Sequence, residues 1–96
     1  MKRFKEKYQE EIKKLTMFIP VVSRVHGPHH NEFYEVVKLF NSISAKISDD
    51  NYELKNDFSN LRAVTNNYVI PKDTCESYEY VYVTLKDLDK LYSDKK

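Results

Sequence analysis

Apolar residues recur along this chain at steps of three and four, the spacing of one face of an α-helix. Phe4, Tyr8, Ile12, Leu15, Ile19 and Val22 form the first stripe. Glu6, Glu10, Lys13 and Lys14 take the opposite face, with Glu10 and Lys14 at the supportive i,i+4 spacing. Pro20 interrupts the pattern, because it removes a backbone donor and crowds the preceding turn. The stripe nevertheless continues in phase through Val22 and then Val25 or His26. The spacing therefore predicts one long helix kinked near Thr16–Pro20, or two helices nearly end to end. His26-Gly27-Pro28 should stop it: Gly27 suits the left-handed position after a helix, and Pro28 cannot continue one.

Three further stripes follow. Phe33, Val36, Val37, Phe40, Ile43 and Ile47 define a second helix from about Asn31, a plausible N-cap residue, with Glu32 and Glu35 well placed in its first turn. Ser48-Asp49-Asp50-Asn51 reads as a polar turn. Leu54, Phe58, Leu61, Thr65 and Tyr68 define a third helix, with Tyr52 near its start. Its end is expected around Asn66–Pro71, since Pro71 biases Ile70 away from helix. Asp73 and Glu76 have capping-box spacing and open a fourth, carrying Cys75, Tyr78, Val81 or Tyr82, Leu85, Leu88 and Tyr92. The run Tyr78–Leu85 also alternates like a strand. The helical stripe is longer, however, and no second strand exists to pair with it. Four amphipathic segments joined by short polar turns predict an all-α protein: a small antiparallel four-helix bundle, one domain over residues 1–96.

Composition narrows the options. The net charge of +1, with charged residues at 32%, provides no concentrated basic field for nucleic acid. No apolar run approaches membrane-spanning length. The basic start is not followed by an apolar stretch, so no secretory leader is expected. The single cysteine, Cys75, cannot form an intrachain disulfide, and a reducing, cytoplasmic setting is the expectation. Tyr and Phe make up the 14% aromatic content, so their rings should supply much of the core.

Candidate chemistry concentrates at one corner. All three histidines, His26, His29 and His30, flank the only glycine, Gly27, with Glu32 and Glu35 close by. Imidazole nitrogens and carboxylate oxygens are ligands for first-row metals. Because Gly27-Pro28 breaks the helix, His26 and His30 do not share a helical face by spacing alone. The corner therefore reads two ways: metal ligands converging from two helix ends, or polar residues at a helix C-terminus and the next N-terminus. Cys75, in the expected first turn of the fourth helix, has the position of an activated thiol, but its place on the apolar stripe favours a buried structural cysteine. Asp49 and Asp50 lie in a turn and read as caps or solvated charge, and the side-chain amides of Asn66-Asn67 either end a helix or line a cleft. The balance leans away from an enzyme.

Two stretches carry a resemblance to a known family. "IPVVSRVHGPHHNEFYEVVKLF" resembles the segment of the RIC (repair of iron centres) family that holds a Val-His-Gly turn and a downstream His-Pro-Glu. "LRAVTNNYVIPKDTCESYEYVY" is similar to the Thr-Asn-Asn, Pro, Cys and aromatic sequence near the end of RIC proteins. The resemblance spans residues 15–92 in outline. It implies a cytoplasmic, hemerythrin-like bundle with a non-haem di-iron centre, acting in repair of iron–sulfur clusters under nitrosative or oxidative stress. The family's Val-His ligand falls on His26. His30 and Glu32 match the His-Pro-Glu element, with Asn31 in place of its proline. The family's centre also draws His and Glu ligands from other helices, and here no histidine follows His30. The resemblance thus implies an incomplete iron site in one chain, with His26, His29, His30, Glu32 and Glu35 as its candidate ligands. A homodimer would pool two corners, and an iron–sulfur protein is the implied partner. The alternative is a metal-free helical module that binds itself or another protein.

Overall fold

The computed structural model describes residues 2–72 and 74–94, and side chains from Glu6 to Lys72 and from Thr74 to Ser93. Four helices follow one another: α1 (Lys2–His26), α2 (Glu32–Ser48), α3 (Lys55–Val64) and α4 (Glu76–Asp94). There is no strand among the described residues, and the all-α bundle expected from the periodicity is the observed fold. α1 packs on both α2 and α4, and α2 also packs on α3.

α1 runs through Pro20 as a single element, so the end-to-end pair of helices does not form. Proline leaves the carbonyl of residue 16 without its usual donor, and one turn earlier the Thr16 hydroxyl donates to the Ile12 carbonyl at 2.8 Å. Tyr8, Leu15, Ile19 and Val22 are buried as the stripe predicts, and Ile12 packs at the core margin. The side chain of Phe4 lies outside the described residues. Phe33, Val36, Phe40, Ile43 and Ile47 bring the face of α2 into the same core, as do Leu54, Phe58 and Leu61 of the third segment.

Gly27 does not take the left-handed conformation expected of it. The chain needs glycine there for room. A Cβ would lie 2.6 Å from the Tyr34 Oη and closer still to the Ser23 carbonyl oxygen. Asn31 stands at the N-cap of α2 in helical backbone (φ −57°, ψ −27°), and its side chain makes no cap hydrogen bond. The turn itself does that work: the Phe33 amide donates to the His30 carbonyl at 2.9 Å and the Tyr34 amide to that of Asn31 at 3.0 Å.

α3 ends at Val64, earlier than its stripe suggests. Asn66, Asn67 and Tyr68 all have positive φ (54°, 62° and 64°), a left-handed run that asparagine tolerates and tyrosine does not favour. Backbone and side chain hold it in place. The Asn67 amide reaches back to the Arg62 carbonyl at 2.8 Å. The Thr65 hydroxyl donates to the Leu61 carbonyl at 2.6 Å and accepts the Tyr68 amide at 2.9 Å. Tyr68 is buried, and its hydroxyl donates to Asp89 at 2.7 Å, where Arg62 also binds both carboxylate oxygens at 2.7 and 2.8 Å. The strained turn is thus tied to α4 by a buried, charge-assisted network. Pro71 lies beyond this stop and is not its cause.

On α4, Tyr78, Val81, Tyr82, Leu85 and Leu88 are buried. Cys75 departs from the expectation: it precedes the helix and is exposed. Its carbonyl accepts the Glu79 amide at 3.1 Å, so Cys75 sits at the helix mouth rather than on the apolar stripe. The expected capping box involves Asp73, which lies outside the described residues.

Two stability measurements check this account. Gly27→Ala is expected to lower unfolding free energy by about 1–3 kcal/mol, as overpacking does, measured by urea denaturation. Tyr34 can swing away from a new methyl, but the Ser23 carbonyl moves only with the helix end. Burial, with Asp89 nearby, pushes the phenols of Tyr8 and Tyr68 far above their ordinary range, and burial also raises Tyr82. Folded values above the unfolded one mean stabilisation that is complete below the ordinary phenol value of about 10 and is lost as pH rises beyond it. These phenols should ionise in one step with loss of helix, followed by phenolate absorbance and circular dichroism. Smooth titration of every tyrosine with the helices intact would contradict it.

Candidate functional site

The corner between α1 and α2 is a tight, backbone-bonded turn. The His29 and His30 amides both donate to the His26 carbonyl, at 3.0 and 2.8 Å. His26 thereby closes α1 while its imidazole points toward the start of α4. Its Nε2 lies 3.2 Å from Sγ of Cys75, a residue 49 positions later. His30, half-buried, places Nδ1 3.2 Å from Oε2 of Glu32.

Tyr78 organises these pairs. Its ring is fully buried, and the His26 ring meets it edge-on, with centroids 5.4 Å apart and planes at 90°. The His30 ring meets it at 5.7 Å and 65°. Phe33 and Tyr82 pack on it at 5.1 and 4.8 Å. The two phenol hydroxyls lie 3.0 Å apart. Burial raises Tyr82, the hydrogen bond with Tyr78 opposes this, and the negative charge of Glu32 adds to the rise. Tyr82 is therefore a neutral hydroxyl at physiological pH.

Of the five candidate ligands, the corner gathers three. His26 and His30 pack on Tyr78, with their ring centroids 6.4 Å apart, and Glu32 joins through His30. His29 is exposed on the turn, and Glu35 is exposed on α2, where it pairs with Lys38 at 3.8 Å. No three His, Cys, Asp or Glu side chains among the described residues form a group that could hold a metal ion. A di-iron centre in a bundle draws about six such ligands from facing helices. The donors present in one chain therefore do not fit a complete centre of that kind.

Cys75 is the residue that sequence spacing misplaced. It stands just before α4, three positions from Tyr78, and its thiol meets His26 there. Asn66 does line a cleft, of about 300 Å³, together with Glu32, Thr65, Val69, Pro71 and Tyr82. Glu32 thus faces both His30 and this cleft. The larger groove between α1 and α2, about 480 Å³, is bounded by Ile19, Pro20, Tyr34, Val37 and Phe40, among others, and holds no titratable side chain apart from Arg24 and Tyr34. No protein-family model matches the chain, and no solved structure matches it. No helix among the described residues is long and apolar enough to cross a membrane.

Proposed function

We propose that this protein acts in the repair of iron–sulfur clusters under nitrosative or oxidative stress, as a helical scaffold whose His26–His30 corner binds a metal ion weakly. One observation carries the reading. The two sequence blocks that resemble the RIC family, one holding Val25-His26-Gly27 and the other Thr65-Asn66-Asn67 and Cys75, meet in space at the contact between His26 and Cys75. Tyr78, from the aromatic part of the second block, packs against both His26 and His30. That shared corner is what supports the reading. His26 is the first donor, and His30 with Glu32, 3.2 Å apart, is a neighbouring pair and not part of one closed three-donor group. His29 and Glu35 are assigned no part, because both are exposed away from this grouping.

A second reading has its own support. Met17, Val21 and Val25 are exposed at one-turn intervals on α1, at 71%, 43% and 56%. An apolar strip of that kind suits a module that binds itself or another protein without metal.

Anaerobic titration with ferrous iron separates the readings. Wild type should bind iron reversibly, and His26→Ala should lose at least the roughly 10–100-fold in affinity that removal of an outer-sphere partner costs. Uptake no tighter than background, or unchanged in His26→Ala, sinks the metal reading and leaves the interaction module.

A further inference from the structure

We propose that Cys75 and His26 form half of a shared Cys2His2 site. One thiolate-preferring divalent ion, zinc in character, would be held between two copies of this chain. Each copy would give Sγ of Cys75 and Nε2 of His26. The proposal takes its metal-binding corner from the reading above, but not iron, repair or the Glu32 donor.

The distance suits such a site. Zinc binds sulfur at about 2.3 Å and imidazole nitrogen at about 2.0–2.1 Å in a tetrahedron, which separates neighbouring S and N donors by about 3.5 Å. Here they are 3.2 Å apart, so an ion enters with a shift of a few tenths of an ångström. Both side chains reach solvent at the end of the bundle: Cys75 is exposed and His26 half-exposed. The His26 ring packs at 90° to the buried Tyr78 ring, with Nε2 on the side of the thiol.

Among the described residues, one chain supplies two donors. His30, the nearest other imidazole, is turned to Glu32, and no third ligand joins the pair among the described residues. Thiolate and imidazole together select zinc over harder ions, and a closed tetrahedral site needs four such donors. A second copy rotated by a two-fold axis through the ion supplies the matching pair, the simplest self-complementary arrangement. Two features suit a second copy. The chain's net charge of +1 sets up little long-range repulsion between copies. Val25, next to His26, is 56% exposed and continues into Val21 and Met17, which gives apolar surface to bury beside the axis.

Cobalt(II) is the probe, added to the full chain under argon with a non-thiol reductant to exclude a Cys75–Cys75 disulfide. The expected result is a thiolate-to-cobalt charge-transfer band, tetrahedral ligand-field bands, and saturation at one ion per two chains. Sedimentation should give a dimer only with metal, and a chelator should return the monomer. Cys75→Ser should abolish the charge-transfer band and the metal-dependent dimer, as should His26→Ala, while His29→Ala should preserve both. Circular dichroism confirms that the variants are folded. Absence of the band, saturation at one ion per monomer, or a dimer indifferent to Cys75→Ser overturns the proposal. Iron uptake that depends on His26 but not on Cys75, without a cobalt–thiolate band, overturns the shared site and leaves the repair reading standing. A cobalt–thiolate dimer without iron uptake upholds the shared site and removes the repair reading.

Discussion

The ring of Tyr78 is buried where the end of α1, the start of α2 and the first turn of α4 come together, and the imidazoles of His26 and His30 both rest on it. The rings of His26 and His30 meet it at steep angles, and those of Phe33 and Tyr82 pack on it tilted. Aromatic rings prefer such tilted and edge-on arrangements, because the positive edge of one meets the negative face of another. Tyr78 therefore fixes angles as well as separations. Its hydroxyl is met by that of Tyr82, so the polar end of the ring is satisfied within the core. Cys75 lies just upstream, at the mouth of α4, and meets His26 there.

The rest of the bundle is also rich in buried tyrosine, and the hydroxyls of Tyr68 and Tyr92 bond to other segments. Tyr92 donates to the Tyr52 carbonyl and accepts the Leu54 amide, tying the end of α4 to the approach to α3. Asp57 joins α3 to Lys46 and Ser42 of α2, and Asp89 joins α4 to Arg62 and Tyr68. In both pairs the carboxylate is buried and its cationic partner is partly exposed, so the pair adds little net stability, while a buried carboxylate left alone would be costly. They act here to select one arrangement of short helices in a small protein. The asparagine turn at the end of α3 is the sharpest case. Its left-handed backbone is unfavourable for Tyr68, and the hydrogen bonds to Thr65 and Asp89 offset the strain.

Periodicity read the helices well because burial on one face is a local property of the sequence. Tyr8, Leu15, Ile19, Val22, Phe33, Val36, Phe40, Ile43 and Ile47 lie on predicted stripes and are buried. It failed where another force ended or bypassed a helix. Thr65 and Tyr68 are on stripe and buried, yet beyond the end of α3, because side-chain hydrogen bonds favour a turn over another helical turn. Gly27 was legible as a necessary glycine but not for the right reason. Its constraint comes from the Tyr34 ring and the preceding helical carbonyl, and contact with a ring seven residues on is invisible to a conformational rule. Cys75 was misread because an apolar stripe extended by one position looks the same whether that position is inside the helix or at its mouth.

The sequence by itself determined that this chain makes four amphipathic helices, that Gly27-Pro28 breaks the first from the second, and that its histidines gather at that break. Those are consequences of residue spacing, backbone permissiveness and the burial of one face. The tertiary structure alone decided which of the clustered donors face one another. His26 turned to Cys75 across 49 residues, His30 turned to Glu32, and His29 and Glu35 were left at the surface. The reason is that packing of α4 on α1 seats Tyr78 beneath the corner, and side-chain direction at a helix break is set by what packs beneath it and not by position along the chain.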